Sequence, residues 1–258
     1  MGPVRGVLLD LDGTVYTGDG LIPGARETIR YLRDAGLPHL FTTNTSRKSR
    51  REVRESLGAL GLEVGIEELF TAPMAAARWL EAEGMRRVHL LLAESAKEEF
   101  SAFELTSESP DAVLVGDLGR AFSYDRLDAA FRALLSGAAL VAVHRNRYWT
   151  PDGRPHLDAG PFVAALEYAT KREATLVGKP SAAFFHAAAG ILGVDVSDVA
   201  VVGDDAESDI EGGRRAGMRT IQVRTGKHAA GLEAGLAGEV DADASIASIA
   251  DLPDCLAG

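Results

Sequence analysis

The sequence contains few of the features that mark secreted and membrane proteins. A single cysteine, Cys255, stands among 258 residues, so no disulfide can form within the chain, and a reducing compartment is expected. No apolar run approaches the roughly 18 residues that a membrane helix needs. The opening segment MGPVRGVLLD also lacks the apolar region of a secretory signal. We therefore expect a cytoplasmic protein that does not bind membranes.

Positive charge is also scarce. Lysine and arginine number 27 against 38 aspartate and glutamate residues, which gives a formal net charge of −11. This balance argues against nucleic acid as a partner, although it allows a locally positive pocket for a small phosphate. The six histidines show no metal-ligand spacing. A metal site built from imidazoles is therefore not expected.

The sequence does contain a regular alternation of apolar, strand-like runs with segments of helical period. The first of these are the strands RGVLLDLD and LPHLFTTN and the helices PGARETIRYLRDAG and SRKSRREVRESLGALG. Ser46 or Thr45 is the expected N-cap of the second helix. The segments ATLVGKP to RTIQVRTG repeat the alternation near the other end. This pattern predicts an α/β fold with a doubly wound parallel sheet.

The middle of the chain carries a second set of alternating elements, from about Trp79 to about Thr175. No disordered linker separates this segment from the rest, and the chain contains no fixed-period internal repeat. We therefore predict a core domain formed by residues 1–78 and 176–258. The prediction for residues 79–175 is a smaller α/β cap domain inserted into that core.

Two carboxylates follow the first apolar run directly. Asp10 and Asp12 are separated by one leucine, and in a strand residues i and i+2 point to the same face. Carboxylates that lie close together repel, and removing either from water is costly. A divalent cation bound between the two carboxylates would offset this repulsion with a single ion. Taken alone, however, DLDGT could equally be a strand that enters a tight turn at Gly13.

Three other stretches end apolar runs in polar or reactive residues: TTN at 42–44, GKP at 178–180 and GDDAESD at 203–209. The carboxyl ends of parallel strands meet at one edge of a sheet, so we expect all four stretches to converge there. Carboxylates, hydroxyl and amide donors and one lysine are the groups that phosphoryl transfer uses. Lys179 alone would be an ordinary surface lysine, but its place in this order favours a functional role.

These motifs resemble, in type and order, those of the haloacid dehalogenase superfamily, over nearly the whole chain. DLDGT is similar to its first motif, Thr43 with Asn44 to the second, Lys179 to the third, and Asp204 with Asp209 to the fourth. The resemblance implies a Rossmann-like core with a type-2 cap, as in NagD-like phosphatases. The segments most similar to the branch that acts on phospholysine, phosphohistidine and pyrophosphate are TNTSRKSR, RYW, AGPFVAALEYATK, GKPSAAFF, VGDD and VRTGK.

The resemblance implies a Mg²⁺-dependent phosphatase of small phosphorylated compounds. Asp10 would attack phosphorus and form an aspartyl-phosphate. Asp12 would protonate the leaving oxygen and then activate the water that hydrolyses this intermediate. The implied ligands of Mg²⁺ are Asp10, the backbone carbonyl of Asp12, and Asp204. The groups implied to bind the transferring oxygens are Thr43, the backbone of Asn44, and Lys179.

Several neighbouring side chains allow more than one interpretation. Asp209 is implied to act behind the metal ligands or through water, and Asp205 could do the same, bind metal or face solvent. Arg47 begins the helix nearest Thr43 and could attract phosphate, or belong to a solvated helix face. In the cap segment 144–162, Arg145, Tyr148 and Trp149 could recognise the leaving group. They could equally form a homodimer contact, because the resemblance implies a type-2 cap and such caps often pair into dimers.

Four other functions compete with this one. A dehalogenase needs neither Mg²⁺ nor an acid at position 12, so Asp12 and the GDD cluster argue against it. A phosphate-accepting sensor would hold phosphate on Asp10, but such proteins lack a large cap and an adjacent acid–base aspartate. Nucleotide or sugar phosphates are the alternative substrates within the wider NagD-like group. A basic-helix binding module at residues 47–54 is disfavoured by the net charge.

Overall fold

A computed structural model describes residues 3–18, 20–149, 156–233 and 241–257 of the chain. It contains two compact units. The first unit consists of Met1–Thr43, Arg54–Phe70 and Lys179–Gly258, and the second of Asn44–Val53 and Thr71–Gly178. The predicted cap, residues 79–175, falls within the second unit.

Short strands alternate with helices along the described residues. The strands are β1 (Gly6–Asp10), β2 (Tyr16–Thr17), β3 (Gly20–Leu21), β4 (His39–Thr43), β5 (Leu69–Thr71), β6 (Arg87–Leu91), β7 (Glu104–Leu105), β8 (Ala112–Val115), β9 (Ala139–Ala142), β10 (Tyr148–Trp149), β11 (His156–Leu157), β12 (Thr175–Leu176), β13 (Val199–Gly203), β14 (Arg219–Val223) and β15 (Ala244–Ile246). The α-helices are α1 (Ala25–Asp34), α2 (Arg50–Ala59), α3 (Ala72–Ala82), α4 (Tyr124–Leu135), α5 (Gly160–Thr170), α6 (Ala182–Leu192), α7 (Gly212–Arg215), α8 (Gly226–Glu233) and α9 (Leu252–Ala257). A π-helical turn spans Ala206–Glu211, between β13 and α7.

The first unit is built on a six-stranded sheet in the order β15-β14-β13-β1-β4-β5. Strand β1 pairs in parallel with β13, where Leu9 lies opposite Val202, and with β4, where Asp10 lies opposite Thr42. Every residue of β1 is buried, as expected for an apolar run in the middle of a parallel sheet. The carboxyl ends of β13, β1 and β4 therefore lie side by side.

Helix α1 shows how the helical period of the sequence becomes one buried face. Ala25, Thr28, Ile29 and Leu32 are its buried residues, at the spacing of an amphipathic helix. The hydroxyl of Thr28 donates a hydrogen bond of 2.9 Å to the carbonyl of Ile249. This bond satisfies a polar group that would otherwise be costly to bury.

The second unit has its own parallel sheet, in the order β12-β9-β8-β6-β7. Its buried cluster includes Val113 and Val115 of β8, Leu134 of α4, and Leu166 of α5. The predicted fold class, α/β with Rossmann-like parallel sheets, is confirmed. Among the described residues no helix combines the length and the apolar character that crossing a membrane requires.

The N-cap predicted for the second helix was wrong. Helix α2 begins at Arg50, and the residue before it, Ser49, forms a reciprocal pair with Glu52. The Ser49 hydroxyl accepts from the Glu52 N–H at 3.2 Å, and the Glu52 carboxylate accepts from the Ser49 N–H at 2.9 Å. Ser46 is instead buried, and its hydroxyl accepts from the N–H of Asp117 at 2.9 Å. A tertiary contact therefore uses the serine that was expected to cap the helix.

Candidate active site

Three acidic side chains lie together at the carboxyl edge of the first unit's sheet. Asp10 is the last residue of β1, Asp204 directly follows β13, and Asp209 lies in the π-helical turn. Each offers a carboxylate oxygen within 4.8 Å of the others, and all three residues are buried. Sheet order thus brings together motifs from opposite ends of the chain, as predicted.

Lys179 binds two of these carboxylates. Its Nζ donates to Oδ1 of Asp10 at 2.5 Å and to Oδ1 of Asp209 at 2.6 Å. The lysine side chain is only 3% exposed, which excludes the interpretation of an ordinary surface lysine. Burial lowers the pKa of Lys179, but the two carboxylates outweigh that effect and keep the pKa above its usual value.

The cluster carries more negative than positive charge. Burial raises the pKa of Asp10 well above its usual range; Lys179 opposes the shift, and Asp209 and Asp204 add to it. Burial, followed by repulsion from Asp209, raises the pKa of Asp204 to about 7. Three carboxylates and one ammonium leave an excess that a divalent cation would balance, and hard cations prefer oxygen ligands. The donor set of this cluster therefore fits a divalent metal.

The prediction that Asp10 and Asp12 share one face of a strand was wrong. Strand β1 ends at Asp10. Asp12 is exposed, and its backbone forms an isolated β-bridge with that of Tyr16. Gly13 turns the chain with a φ of 93°, and its N–H donates to the carbonyl of Tyr16 at 2.7 Å. Glycine permits this positive φ, and the strand ends at Asp10, two residues before the end of the predicted strand RGVLLDLD.

Tyr16 is a site residue that the motifs did not reveal. Its hydroxyl donates a hydrogen bond to the carboxylate of Asp12, and burial together with Asp12 raises the pKa of that hydroxyl. The phenol is therefore held in its donor form beside the proposed acid–base aspartate. Nothing in the sequence beyond its place four residues after Asp12 signals this contact.

The second motif follows β4. Thr43 is the last residue of that strand and is 3% exposed. It lies one residue beyond Thr42, which faces Asp10 in the register of β1 and β4. Asn44 is the first residue of the second unit. Binding of phosphate oxygens by Thr43 and by the Asn44 backbone remains a prediction.

Asp205 has a different environment from its neighbour Asp204. Its carboxylate accepts from Nζ of Lys227 at 2.6 Å and from two backbone N–H groups of the π-helical turn at 3.0 Å. Burial raises the pKa of Asp205 and the Lys227 ammonium lowers it, with a net downward shift. Lys227 belongs to the segment VRTGK, which stood out in the sequence without an assigned role.

Two of the predicted specificity residues are in contact within the second unit. The guanidinium carbon of Arg47 lies 3.7 Å from the centroid of the Trp149 ring. Arg47 Nε also donates to the carboxylate of Asp117. A stacked and paired arginine is held in one geometry, so Arg47 and Trp149 form one local group rather than two separate ones.

The other two predicted specificity residues have different surroundings. Arg145 forms an ion pair with Glu167 of α5. Tyr148 is 54% exposed and belongs to the two-stranded pair of β10 with β11. Residues 150–155 of the same predicted loop lie outside the described residues. Recognition of the leaving group by these residues remains a prediction.

Known proteins match the chain along most of its length. Residues 7–106 match the family of haloacid dehalogenase-like hydrolases, and residues 176–252 match a family described as HAD-hydrolase-like. Phospholysine phosphohistidine inorganic pyrophosphate phosphatase of Rattus norvegicus is 38% identical over 259 residues, which cover 98% of this chain and 94% of that protein.

Two solved structures share the fold. The p-nitrophenyl phosphatase from Archaeoglobus fulgidus has a TM-score of 0.89 and 29% identity, covering 98% of this chain and 100% of its own. NagD from Escherichia coli K-12 has a TM-score of 0.87 and 24% identity, covering 96% of this chain and 98% of its own. The likeness to NagD concerns the fold alone. The expectation of a NagD-like fold is confirmed.

Proposed function

The chain belongs to the haloacid dehalogenase-like hydrolases and is a phosphatase of that family, and from this premise we propose that it hydrolyses small phosphorylated compounds with Mg²⁺. The observation that carries the proposal is the buried cluster of Asp10, Asp204 and Asp209 around Lys179. A carboxylate at a strand end, next to two others that favour a cation, suits nucleophilic attack on an anionic phosphate.

Asp10 is the proposed nucleophile. One of its oxygens bonds to phosphorus while the bond from phosphorus to the leaving oxygen breaks, which produces an aspartyl-phosphate. Asp12 gives its proton to the leaving oxygen. In the second step Asp12 takes a proton from water and the water oxygen bonds to phosphorus. The bond from phosphorus to the Asp10 oxygen breaks, which restores the Asp10 carboxylate and releases inorganic phosphate. Tyr16 holds the Asp12 carboxylate through its hydrogen bond during both steps.

The metal would be held by Asp10, the backbone carbonyl of Asp12, and Asp204, with Asp209 behind them. When bound, Mg²⁺ supplies positive charge that reduces repulsion between the phosphate and the attacking carboxylate. Thr43, the backbone of Asn44 and Lys179 bind the transferring oxygens. Asp209 keeps Lys179 in place through the 2.6 Å bond, and Asp205 acts with Lys227 rather than on the metal.

For the substrate we propose phosphohistidine, phospholysine or pyrophosphate. The support is the 38% identical rat relative, whose name describes these substrates. Nucleotide or sugar phosphates are the alternative within the wider NagD-like group. These two substrate classes are distinguished by measuring kcat/KM on a panel of phosphorylated metabolites that includes phosphoamino acids and pyrophosphate. The class with the higher kcat/KM is the preferred one.

Metal removal tests the reaction class. Hydrolysis of p-nitrophenyl phosphate should fall at least about 100-fold on chelation and return with Mg²⁺, because a catalytic metal contributes several kcal/mol to the transition state. Release of p-nitrophenol is the measurement. Undiminished turnover in chelator would contradict the metal's role. A stably phosphorylated protein without turnover would instead indicate a phosphate-accepting sensor. Release of halide from haloacids would indicate a dehalogenase.

The cap residues yield a prediction about substrate preference. Replacing Trp149 by alanine removes the ring on which Arg47 stacks. The ratio of kcat/KM values between substrates should therefore change by roughly tenfold or more, and their ranking with it, while kcat/KM for p-nitrophenyl phosphate should change much less. Tyr124→Ala, at an exposed tyrosine of α4, is the control and should leave the ranking unchanged. Equal loss on all substrates, or a changed oligomeric state in gel filtration, would make this segment structural or a dimer contact.

A further inference from the structure

The turn between β14 and α8 reaches the loop that follows the proposed nucleophile. The chain leaves β14 at Val223 and enters α8 at Gly226. The hydroxyl of Thr225 donates a 2.5 Å hydrogen bond to the carbonyl of Gly13. Gly13 directly follows Asp12, so this bond ties the turn to the backbone that carries the proposed acid–base residue.

The same turn binds the carboxylate of Asp204. The backbone N–H of Lys227 donates to Oδ2 of Asp204 at 2.5 Å. This N–H lies in the first turn of α8, where amide groups point out of the helix and favour a negative charge. Because Asp204 is 2% exposed, a donor from the protein takes the place of the water that would otherwise hold its carboxylate.

Gly226 makes this close approach feasible. Its φ is 55°, and a Cβ at this position would overlap the Asp204 carboxylate and the Cα of Gly13. Gly13 has a φ of 93°, and a Cβ there would overlap the same carboxylate. Two glycines from distant parts of the chain therefore face Asp204, and neither position has room for a side chain.

Lys227 binds the two adjacent aspartates, Asp204 and Asp205, through different groups. Its ammonium binds Oδ2 of Asp205 at 2.6 Å, while its backbone N–H binds Asp204. One residue thus neutralises Asp205 and orients Asp204. The Asp204 carboxylate stays in the group with Asp10 and Asp209.

We propose that Thr225, Gly226 and Lys227 form a positioning turn that holds the Asp204 carboxylate and the Gly13 backbone in the arrangement needed to bind a divalent cation. The inference rests on the proposed function, since it assigns this turn to the same site. These three residues touch neither substrate nor metal in this assignment. They act through the groups that they hold, as outer partners of metal ligands do in other sites.

Calorimetric titration of the full-length, metal-free protein with Mg²⁺ tests the proposal without any turnover. Gly226→Ala should weaken Mg²⁺ binding by about 10- to 100-fold, the range found when partners of metal ligands are removed. Gly193→Ala is the matched control. Gly193 also has a positive φ, 66°, but nothing lies within 4 Å of the place that a Cβ would occupy there. The control therefore carries the same backbone strain and should bind Mg²⁺ like the wild type.

If Gly226→Ala does not fold, Thr225→Val tests the positioning role instead. It removes the donor to Gly13 but keeps the side-chain shape, and it should weaken Mg²⁺ binding while Thr225→Ser restores it. Wild-type affinity in the folded Gly226→Ala and Thr225→Val variants, or equal loss in Gly193→Ala, would overturn the positioning role alone. A wild-type protein that neither binds Mg²⁺ nor hydrolyses phosphate esters would overturn the proposed function, and this inference with it.

Discussion

Asp10→Asn is expected to abolish phosphatase turnover and leave the fold intact. An amide cannot form the acyl phosphate, so the covalent route is lost, and kcat should fall by at least about 10⁴-fold, as when other enzymes lose their nucleophile. Steady-state hydrolysis of p-nitrophenyl phosphate measures the loss. Intact-mass spectrometry after rapid quenching should detect one phosphoryl group on the wild type and none on the variant.

The stability of this variant follows from the charge of the cluster. Burial raises the pKa of Asp10, so the folded state disfavours its ionised form, and stability is lost as pH rises through that pKa. A neutral amide removes this cost at neutral pH, while Lys179 keeps its bond to Asp209. The Tm of Asp10→Asn should therefore equal or exceed that of the wild type.

The exposed Asp34 of α1 supplies the control. Asp34→Asn changes the formal charge equally and should leave both kcat and Tm unchanged. A tenth of wild-type activity in a pure Asp10→Asn preparation would exclude Asp10 as the nucleophile. A collapse of its Tm would mean that the ionised carboxylate stabilises the fold, contrary to the direction of its pKa shift.

Much of the fold was readable in the sequence because it depends on local patterns. Buried parallel strands require continuous apolar runs, and GVLLD and VAVVG became the neighbouring strands β1 and β13. Once those strands are adjacent, the residues that follow them must meet at one edge. Asp10, Asp204 and Asp209 come together for that reason. The expectation that Lys179 reaches the same edge at the end of a neighbouring strand was wrong in its cause, because the strand before it, β12, belongs to the second unit's sheet.

The contacts that the sequence did not reveal depend on tertiary approach. Thr225 binds the backbone of Gly13 from the other end of the chain, and no periodicity encodes such a bond. The exposure of Asp12 depends on the turn at Gly13, which the apolar pattern does not specify. Ser46 and Ser49 are both good capping residues, but Ser49 pairs with Glu52 at the start of α2, whereas Ser46 binds a residue distant in sequence, Asp117.

Lys179→Met is expected to have the largest effect on stability and a large effect on activity. The substitution leaves the carboxylates of Asp10 and Asp209 buried without the ammonium that binds both at 2.5 and 2.6 Å. Removing one partner of a buried ion pair costs about 3–5 kcal/mol. Urea unfolding of the metal-free protein at neutral pH should show a loss of that size, and kcat/KM should fall together with it.

Lys97→Met is the matched control for this loss. Lys97 binds Glu94 at 2.6 Å, as short a contact as Lys179 with Asp209, but the Glu94 side chain is 88% exposed. Exposed pairs contribute only about 0–1 kcal/mol, so this variant should unfold nearly like the wild type. Adding Asp209→Asn to Lys179→Met removes one unpaired carboxylate and should recover part of the lost stability. If Lys179→Met unfolds like Lys97→Met, the charge balance proposed for the cluster is wrong.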